Sequence, residues 1–307
     1  MKAAVQASIA LLPPVLADPL YYLLQRRLGG LRQLDPFDRF EAGVKIAERI
    51  VDHGGDLAGR RLLEIGTGWR LNTPLALWLM GAEVVTVDLN QFLRPQLVLE
   101  DIGLLRQQED RVRASLKPFG WRQERWEQLA LVHARGELSL QLEELPGLSY
   151  RAPQDASALL NESEGSFDGT FSYNVLEHIP PRVLRAIFRE AMRLTAGARR
   201  VSVHLVDHSD HFAHFDGSLT SVNFLRFTPF QWKLIAGNRF AYCNRLRSSE
   251  LSQLFLDCGL TLLRVEPTVD PVALEAIESG RVPLWSHFAA LPARDVAARE
   301  TWYALHA

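Results

Sequence analysis

The 307-residue chain predicts an α/β fold with a doubly wound, mostly parallel sheet. Three observations carry that reading. Residues 61–90, RLLEIGTGWRLNTPLALWLMGAEVVTVDLN, run strand, glycine turn, helix, strand, acid. Further short β-branched or apolar runs at 169–173 and 198–206 are separated by a helical pattern. The hydrophobic content of 47% suffices, at this length, for one large α/β domain with additions or for two small ones.

Residues 1–58 read as a helical N-terminal cap. Leu20–Leu28 and Phe37–His53 carry apolar residues at helical spacing, and Gly54-Gly55 ends the second helix. Phe37, Phe40 and the Tyr21-Tyr22 pair either line a pocket or pack as helix-face core. The first residues hold one early Lys, but Pro13-Pro14 interrupts the apolar part and Asp18-Pro19 is no small-residue cleavage site. That stretch is expected to be a helix and turn of the mature protein. Leu62–Ile65 then makes a buried strand stopped by Gly66-Thr67-Gly68, whose glycines let the backbone turn sharply and approach a ligand. Asn72–Gly81 is a mostly apolar helix with Pro74 in its first turn. Ala82–Leu89 is the second strand, and Asp88 at its tip is placed to accept hydrogen bonds from ribose hydroxyls.

A helical insertion is expected over about residues 95–147. Leu97–Leu116 and Trp121–His133 read as amphipathic helices with a solvated charged face, and Glu137–Leu145 as a weaker third. Leu148–Pro153 is a short third strand followed by Asp155-Ala156. Gly169–Tyr173 is the fourth strand, with Asn174 at the carboxyl end where open parallel sheets place ligands. Pro180-Pro181 begins a helix through Leu194, and Ala198–Val206 is the fifth strand. Residues 207–247 form a second insertion rich in His, Phe and Arg. Three readings compete for it: an acceptor-binding lid, a metal site of His208, His211, His214 and Asp216, or a structural loop. Ser248–Cys258 is a helix with Gly259 as its stop, Leu260–Glu266 a strand, Pro271–Ser279 a helix and Arg299–His306 a last strand.

Composition narrows the function. With 34 basic and 36 acidic residues there is no support for a nucleic-acid surface. No run is long enough for a membrane-spanning helix, so no membrane partner is expected. Two cysteines, Cys243 and Cys258, are too few for a disulfide framework or a cysteine zinc site and point to a reducing, cytoplasmic compartment. No internal repeat or low-complexity tract stands out.

Glu64, Gly66, Gly68 and Asp88 resemble the first motif, E/D-x-G-x-G-x-G with an acid about 20 residues on, of the class I S-adenosylmethionine-dependent methyltransferases. Arg70 stands where the last glycine of that motif sits. The dinucleotide pattern G-x-G-x-x-G is not met, because Leu71 occupies its third glycine. Asp155-Ala156 is similar to the family's adenine-binding pair, and Asn174-Val175-Leu176-Glu177-His178-Ile179 to the segment after its fourth strand in small-molecule members. Segments of 207–247 resemble bacterial methyltransferases whose acceptor is largely unassigned. The resemblance spans about residues 55–307. It implies a Rossmann-like seven-stranded sheet with the last strand inserted antiparallel, helices before the first strand over the cofactor mouth, and S-adenosyl-L-methionine as cofactor. It assigns Glu64, Gly66, Thr67, Gly68, Trp69, Asp88, Leu89, Asp155, Ala156 and Asn174 to the cofactor; Arg70, the departure, either clashes there or meets the methionine carboxylate, and His178 either borders the cofactor or only caps and packs.

The acceptor is expected to be a small molecule or glycan. His208 and His211 are candidate bases because they follow the fifth strand at the active edge, and Tyr173 is a further catalytic candidate. Asn223, Arg226, Tyr242 and Asn244 are candidate acceptor contacts, and no metal is assigned. Two other readings stay open: alkyl transfer within the cofactor itself, forming a ring and releasing methylthioadenosine, and a non-catalytic binding module that has kept the fold.

Overall fold

The computed structural model describes residues 2–29, 31, 35–197 and 200–306. The first helices are α1 (Lys2–Ala10), α2 (Pro14–Leu28) and α3 (Pro36–Gly54). The sheet begins with β1 (Arg61–Ile65), crosses through α4 (Asn72–Leu79) and returns as β2 (Glu83–Val87). Helices α5 (Pro95–Arg106), α6 (Glu109–Leu116) and α7 (Gln123–Arg135) precede β3 (Leu148–Arg151) and β4 (Gly169–Tyr173). Helix α8 (Pro181–Leu194) leads to β5 (Val201–Asp207). The remainder is α9 (Pro229–Ala236), α10 (Ser248–Asp257), β6 (Thr261–Val269), α11 (Pro271–Glu278), the short α12 (Ser286–Ala289) and α13 (Ala293–Val296), and β7 (Ala298–His306).

The seven strands form one sheet in the order β3-β2-β1-β4-β5-β7-β6. The first five are parallel, and β7 enters antiparallel between β5 and β6. This is the doubly wound, seven-stranded, Rossmann-like architecture the sequence predicts. The strand order reverses at β1 and β4, where the crossovers leave on opposite faces and open a crevice at the carboxyl ends.

Alternation along the strands feeds two cores. Leu62 and Val84 face one layer, with Phe37, Phe40, Ile46, Trp78 and Trp126. Leu63 and Val85 face the other, with Phe167 and Leu194. A further core behind β5 and β7 joins Leu184, Phe188, Phe255 and Tyr303. A separate cluster around Trp232, Phe224 and Phe288 holds the segment after β5 in place.

Three expectations change. The pattern at 97–116 is two helices, broken at Gln107-Gln108, rather than one. Residues 137–145 form turns around Ser139 and Leu142 rather than a helix; Leu142 sits at φ 62, and Glu144 is spent accepting from the Ser139 amide and hydroxyl. The fifth strand is described from Val201, and Ala198 and Arg199 of the expected span lie outside the described residues. Phe37 and Phe40 are core, whereas Tyr21 borders the principal cavity.

Arg247 ties the functional edge to the sheet. It is fully buried, and its guanidinium donates to the His208 carbonyl at 2.9 and 2.8 Å and to the Ala298 carbonyl at 2.9 Å. The end of β5, the start of α10 and the start of β7 thus meet on one side chain. Replacing it by Met fills the space but leaves both carbonyls without these donors. We expect Arg247→Met to cost about 2–4 kcal/mol in urea unfolding; a loss below about 1 kcal/mol would show that the guanidinium is not the tie.

Candidate active site

The turn after β1 is shaped by two glycines at positive φ, Gly66 at 80° and Gly68 at 72°. A Cβ on Gly66 would lie 2.5 Å from Val175 Cγ1, so only glycine lets β1 and the post-β4 segment close together. Gly68 N–H donates to Asp88 Oδ2 at 3.1 Å, as does the Tyr150 hydroxyl at 3.1 Å. Thr86 Oγ1 donates to Glu64 Oε2 at 2.5 Å and also meets the Thr67 hydroxyl. The loop after β3 docks here through Gln154 N–H on the Asp88 carbonyl at 2.8 Å. It carries Asp155, exposed and accepting from the Ser157 amide and hydroxyl, and Ala156. Leu89 is exposed beside them.

Glu64 and Asp88 are two buried carboxyls under one turn. Burial, with Asp88 nearby as a second negative charge, raises Glu64 to about 8. Burial raises Asp88 to about 7, against the opposing hydrogen bonds of Tyr150 and Gly68. Arg39 of α3 brings a positive charge near Glu64, and its Nη1 would lie 3.9 Å from a Cβ on Gly68. Such a floor repels an anionic pyrophosphate and favours a positively charged ligand.

A cavity of about 430 Å³ opens beside this turn, bordered by Trp69, Arg39, Tyr21, His178, His211 and Phe240 among others. Trp69 meets Tyr22 edge-on at 5.8 Å and Tyr21 at 6.2 Å, while Tyr21 stacks on Phe240 at 4.3 Å. The N-terminal helix α2 therefore walls the cavity together with the segment after β5. Asn174, at φ 53, carries the chain out of β4 in a left-handed conformation that Asn tolerates. Its Oδ1 is buried without a hydrogen-bond partner among the described residues. Tyr173 is pushed up to about 12 by burial and then by nearby Asp38; its ring lies 5.9 Å from the Arg39 guanidinium.

On the β4–β5 side a second acidic group gathers. Glu177 is buried, and no hydrogen bond of normal geometry reaches either carboxylate oxygen. Burial and then the charge of Asp207 push it well above the usual carboxyl range. Asp207, at the end of β5, is also raised by burial, but hydrogen bonds from His211 and Ser209 hold it well below that range. His211 Nε2 lies 3.4 Å and His214 Nε2 3.8 Å from Asp207 Oδ2. The rings of His178 and His211 are 5.0 Å apart.

Several expected site residues serve the scaffold instead. Arg70 does not reach toward a ligand carboxylate. Its guanidinium makes a two-pronged buried ion pair with Asp101 of α5, with Nε to Oδ2 at 2.6 Å. His208 cannot act as a base on a cavity ligand. It is fully buried, its Nδ1 pairs with the Leu246 carbonyl at 2.8 Å, and burial together with Arg247 lowers it to about 3. Asn244 donates to the Leu176 and Ile179 carbonyls and accepts from Leu246 N–H, which uses its amide structurally. Asn223 donates to Asp210 at 3.3 Å, and Arg226 is exposed with its guanidinium 5.6 Å from the Phe227 ring. Tyr242 is half-buried and gives its carbonyl to His178 Nδ1 at 3.1 Å. The sequence reading missed Arg39, whose helix precedes the sheet, and the separate role of Glu177 inside a segment read as one motif.

No family model matches the chain, and no curated protein matches it. Some solved structures align with it at low identity and with TM-scores below 0.5. Phosphoethanolamine N-methyltransferase 2 of Haemonchus contortus, with bound S-adenosyl-L-methionine, is 15% identical at a TM-score of 0.46; 86% of this chain aligns, and it spans 52% of that protein. Magnesium protoporphyrin IX methyltransferase of Synechocystis PCC 6803, with bound SAH, is 12% identical at 0.45, over 94% of each chain. Geranyl diphosphate C-methyltransferase of Streptomyces coelicolor A3(2), a complex with Mg²⁺, geranyl diphosphate and S-adenosyl-L-homocysteine, is 13% identical at 0.44, over 84% of this chain and 75% of that one. The likeness is one of fold. Among the described residues no helix is long and apolar enough to cross a membrane.

The raised carboxyls fix a pH dependence. A group whose pKa is higher folded than unfolded holds extra protons in the folded state, so stability falls as pH rises from the unfolded toward the folded value. The unliganded protein is expected to lose stability between roughly pH 5 and pH 8, with Glu64→Gln showing a shallower fall. Urea midpoints across that range provide the check, and equal slopes for the two proteins would remove Glu64 as the source.

Proposed function

We propose that the chain is an S-adenosylmethionine-dependent transferase that methylates a small-molecule acceptor. One observation carries the reading: two buried carboxyls, Glu64 and Asp88, underlie a double-glycine turn, an arrangement that a ligand with both hydrogen-bond donors and a cationic group satisfies. S-adenosylmethionine supplies both, in its ribose hydroxyls and in its sulfonium and ammonium groups. Gly66, Thr67 and Gly68 form the turn against which the cofactor lies. Asp88 takes the ribose hydroxyls, and Asp155 and Ala156 flank the adenine, beside Leu89. Arg39, standing over Gly68, replaces Arg70 as the group that meets the methionine carboxylate. Trp69, Asn174 and His178 border the methionine end.

Residues 1–58 act as a cap, since Tyr21 of α2 walls the cavity, and the segment 207–247 closes the acceptor side through His211 and Phe240. Such a site aligns an acceptor behind the methyl carbon and excludes water. His211, Tyr173 and the backbone around Tyr242 are the groups on that side that position the acceptor. A sulfonium methyl is already activated, so alignment is the main demand on the protein.

Calorimetry with S-adenosylhomocysteine tests the assignment. The wild type should bind it and not NADH, and Asp88→Asn should weaken binding about tenfold or more by removing the ribose acceptor. No binding of cofactor or product would overturn the reading and leave a non-catalytic module. Incubation with S-adenosylmethionine alone separates the chemistries: methylthioadenosine without an acceptor marks ring formation, and S-adenosylhomocysteine formed only with an acceptor marks methyl transfer.

A further inference from the structure

We propose that Glu177, His178 and His211 form a binding site for a divalent transition-metal ion of the zinc class at the floor of the cavity. One donor atom from each lies within 4.8 Å of the others, a spacing that a single ion can span after small side-chain adjustments. The donor set, two imidazoles and one carboxylate, suits zinc and its neighbours rather than the all-oxygen shells of magnesium or calcium.

A second observation points to a ligand. Glu177 is 2% exposed, and among the described residues no hydrogen bond of normal geometry reaches either carboxyl oxygen, although its own amide and that of Asp207 lie nearby. A buried carboxylate without partners is costly, and a bound cation is one direct way to satisfy it. The supporting contacts have the pattern that orients metal-binding histidines. His178 Nδ1 faces the Tyr242 carbonyl at 3.1 Å, which makes that nitrogen the protonated one. Its Nε2 is thereby left as the donor atom, 3.9 Å from Glu177 Oε1. Asp207 stands 3.4 Å from His211 Nε2, a carboxylate behind an imidazole. His178 and His211 also border the cavity, so the position that three protein donors leave on a four-coordinate ion is reachable from it.

The chain elements explain why these groups converge. The 3₁₀ turn Leu176–His178 follows β4, and Asp207–His211 follows β5, its paired neighbour in the sheet. The site uses neither Glu64 nor Asp88, so it stands or falls apart from the cofactor assignment. With an ion bound, His211 is its ligand, and an acceptor oxygen entering the cavity would be held by the metal.

The test is a titration of Co²⁺ alone into the untagged protein after dialysis against EDTA, followed by visible absorption. One equivalent should bind with the intense d–d bands of a low-coordinate site. Glu177→Gln and His211→Ala should each weaken Co²⁺ binding about tenfold or more, and Glu177→Gln should leave S-adenosylhomocysteine affinity within about twofold. If Glu177→Gln fails to fold by circular dichroism, His178→Gln, altered at a half-exposed side chain, decides in its place through Co²⁺ binding alone. The absence of saturable Co²⁺ binding by the wild type would overturn the site, as would undiminished binding in the folded variants. Co²⁺ binding without S-adenosylhomocysteine binding would keep the metal site and remove the cofactor reading.

Discussion

Two carboxyls buried beneath a glycine turn set the terms for the rest of this molecule. Glu64 sits on a central strand, where burial disfavours its charge, and the hydroxyls of Thr86 and Thr67 are donors beside it. Asp88 shares the turn, held by the Gly68 amide and Tyr150. Nothing in a hydrophobic strand core calls for an acid at either position. Leu in place of Glu64 would bury apolar area and remove a desolvation cost. The arrangement makes sense as a demand for a cation, met only when a positively charged ligand occupies the turn.

The surrounding structure holds that demand in place. Gly66 admits Val175, so the β1 turn and the post-β4 segment form one continuous surface. Arg70 is paired internally with Asp101 and fixes α5 against the turn. That removes a positive charge from the cofactor face and leaves Arg39, supplied by the N-terminal helix α3, as the cation beside Gly68. Arg247 does the analogous work on the far side, joining the end of β5 to β7 through carbonyl contacts. Arg70, which looks like a ligand group in the sequence, and Arg247 are thus structural pins. The guanidinium's several donors suit it to hold several backbone or carboxylate oxygens at once.

Much of the fold was legible because its signals are local. Short apolar runs ending in Gly66 or Asn174, and helices stopped by Gly54, Gly81 and Gly259, mark element ends through backbone chemistry alone. The sheet order required the resemblance, since periodicity does not say that β7 enters between β5 and β6. The misreadings are of two kinds. Residues 137–145 had helical spacing but satisfy their backbone through Glu144 and turn hydrogen bonds. Arg70, His208 and Asn244 have the residue types of a site, but their partners come from elements 31, 38 and 68 residues away. Burial of a polar side chain depends on such distant partners, and a single sequence does not display them. Glu177 shows the converse: inside a familiar segment it attracts no separate notice, and only the structure reveals it buried and unpartnered.

The two acidic centres have different electrostatic character, and this separates their functions. Glu64 and Asp88 lie under a backbone turn with hydroxyl and amide donors around them and no imidazole, a setting for a soft organic cation whose shape is read by the chain. Glu177 and Asp207 lie across the crevice with His178 and His211 between them and the cavity, a setting whose donors carry directional lone pairs. Both arise from the same topological fact. Parallel strands β1, β2, β4 and β5 end at one edge, so the acids that follow them converge there even though they are far apart in the chain. Burial pushes Glu64, Asp88 and Glu177 toward their protonated forms in the empty site, and a ligand cation or hydrogen-bond donor favours their ionisation. On the readings proposed above, a cofactor cation answers the first pair and a metal ion the second, by independent means.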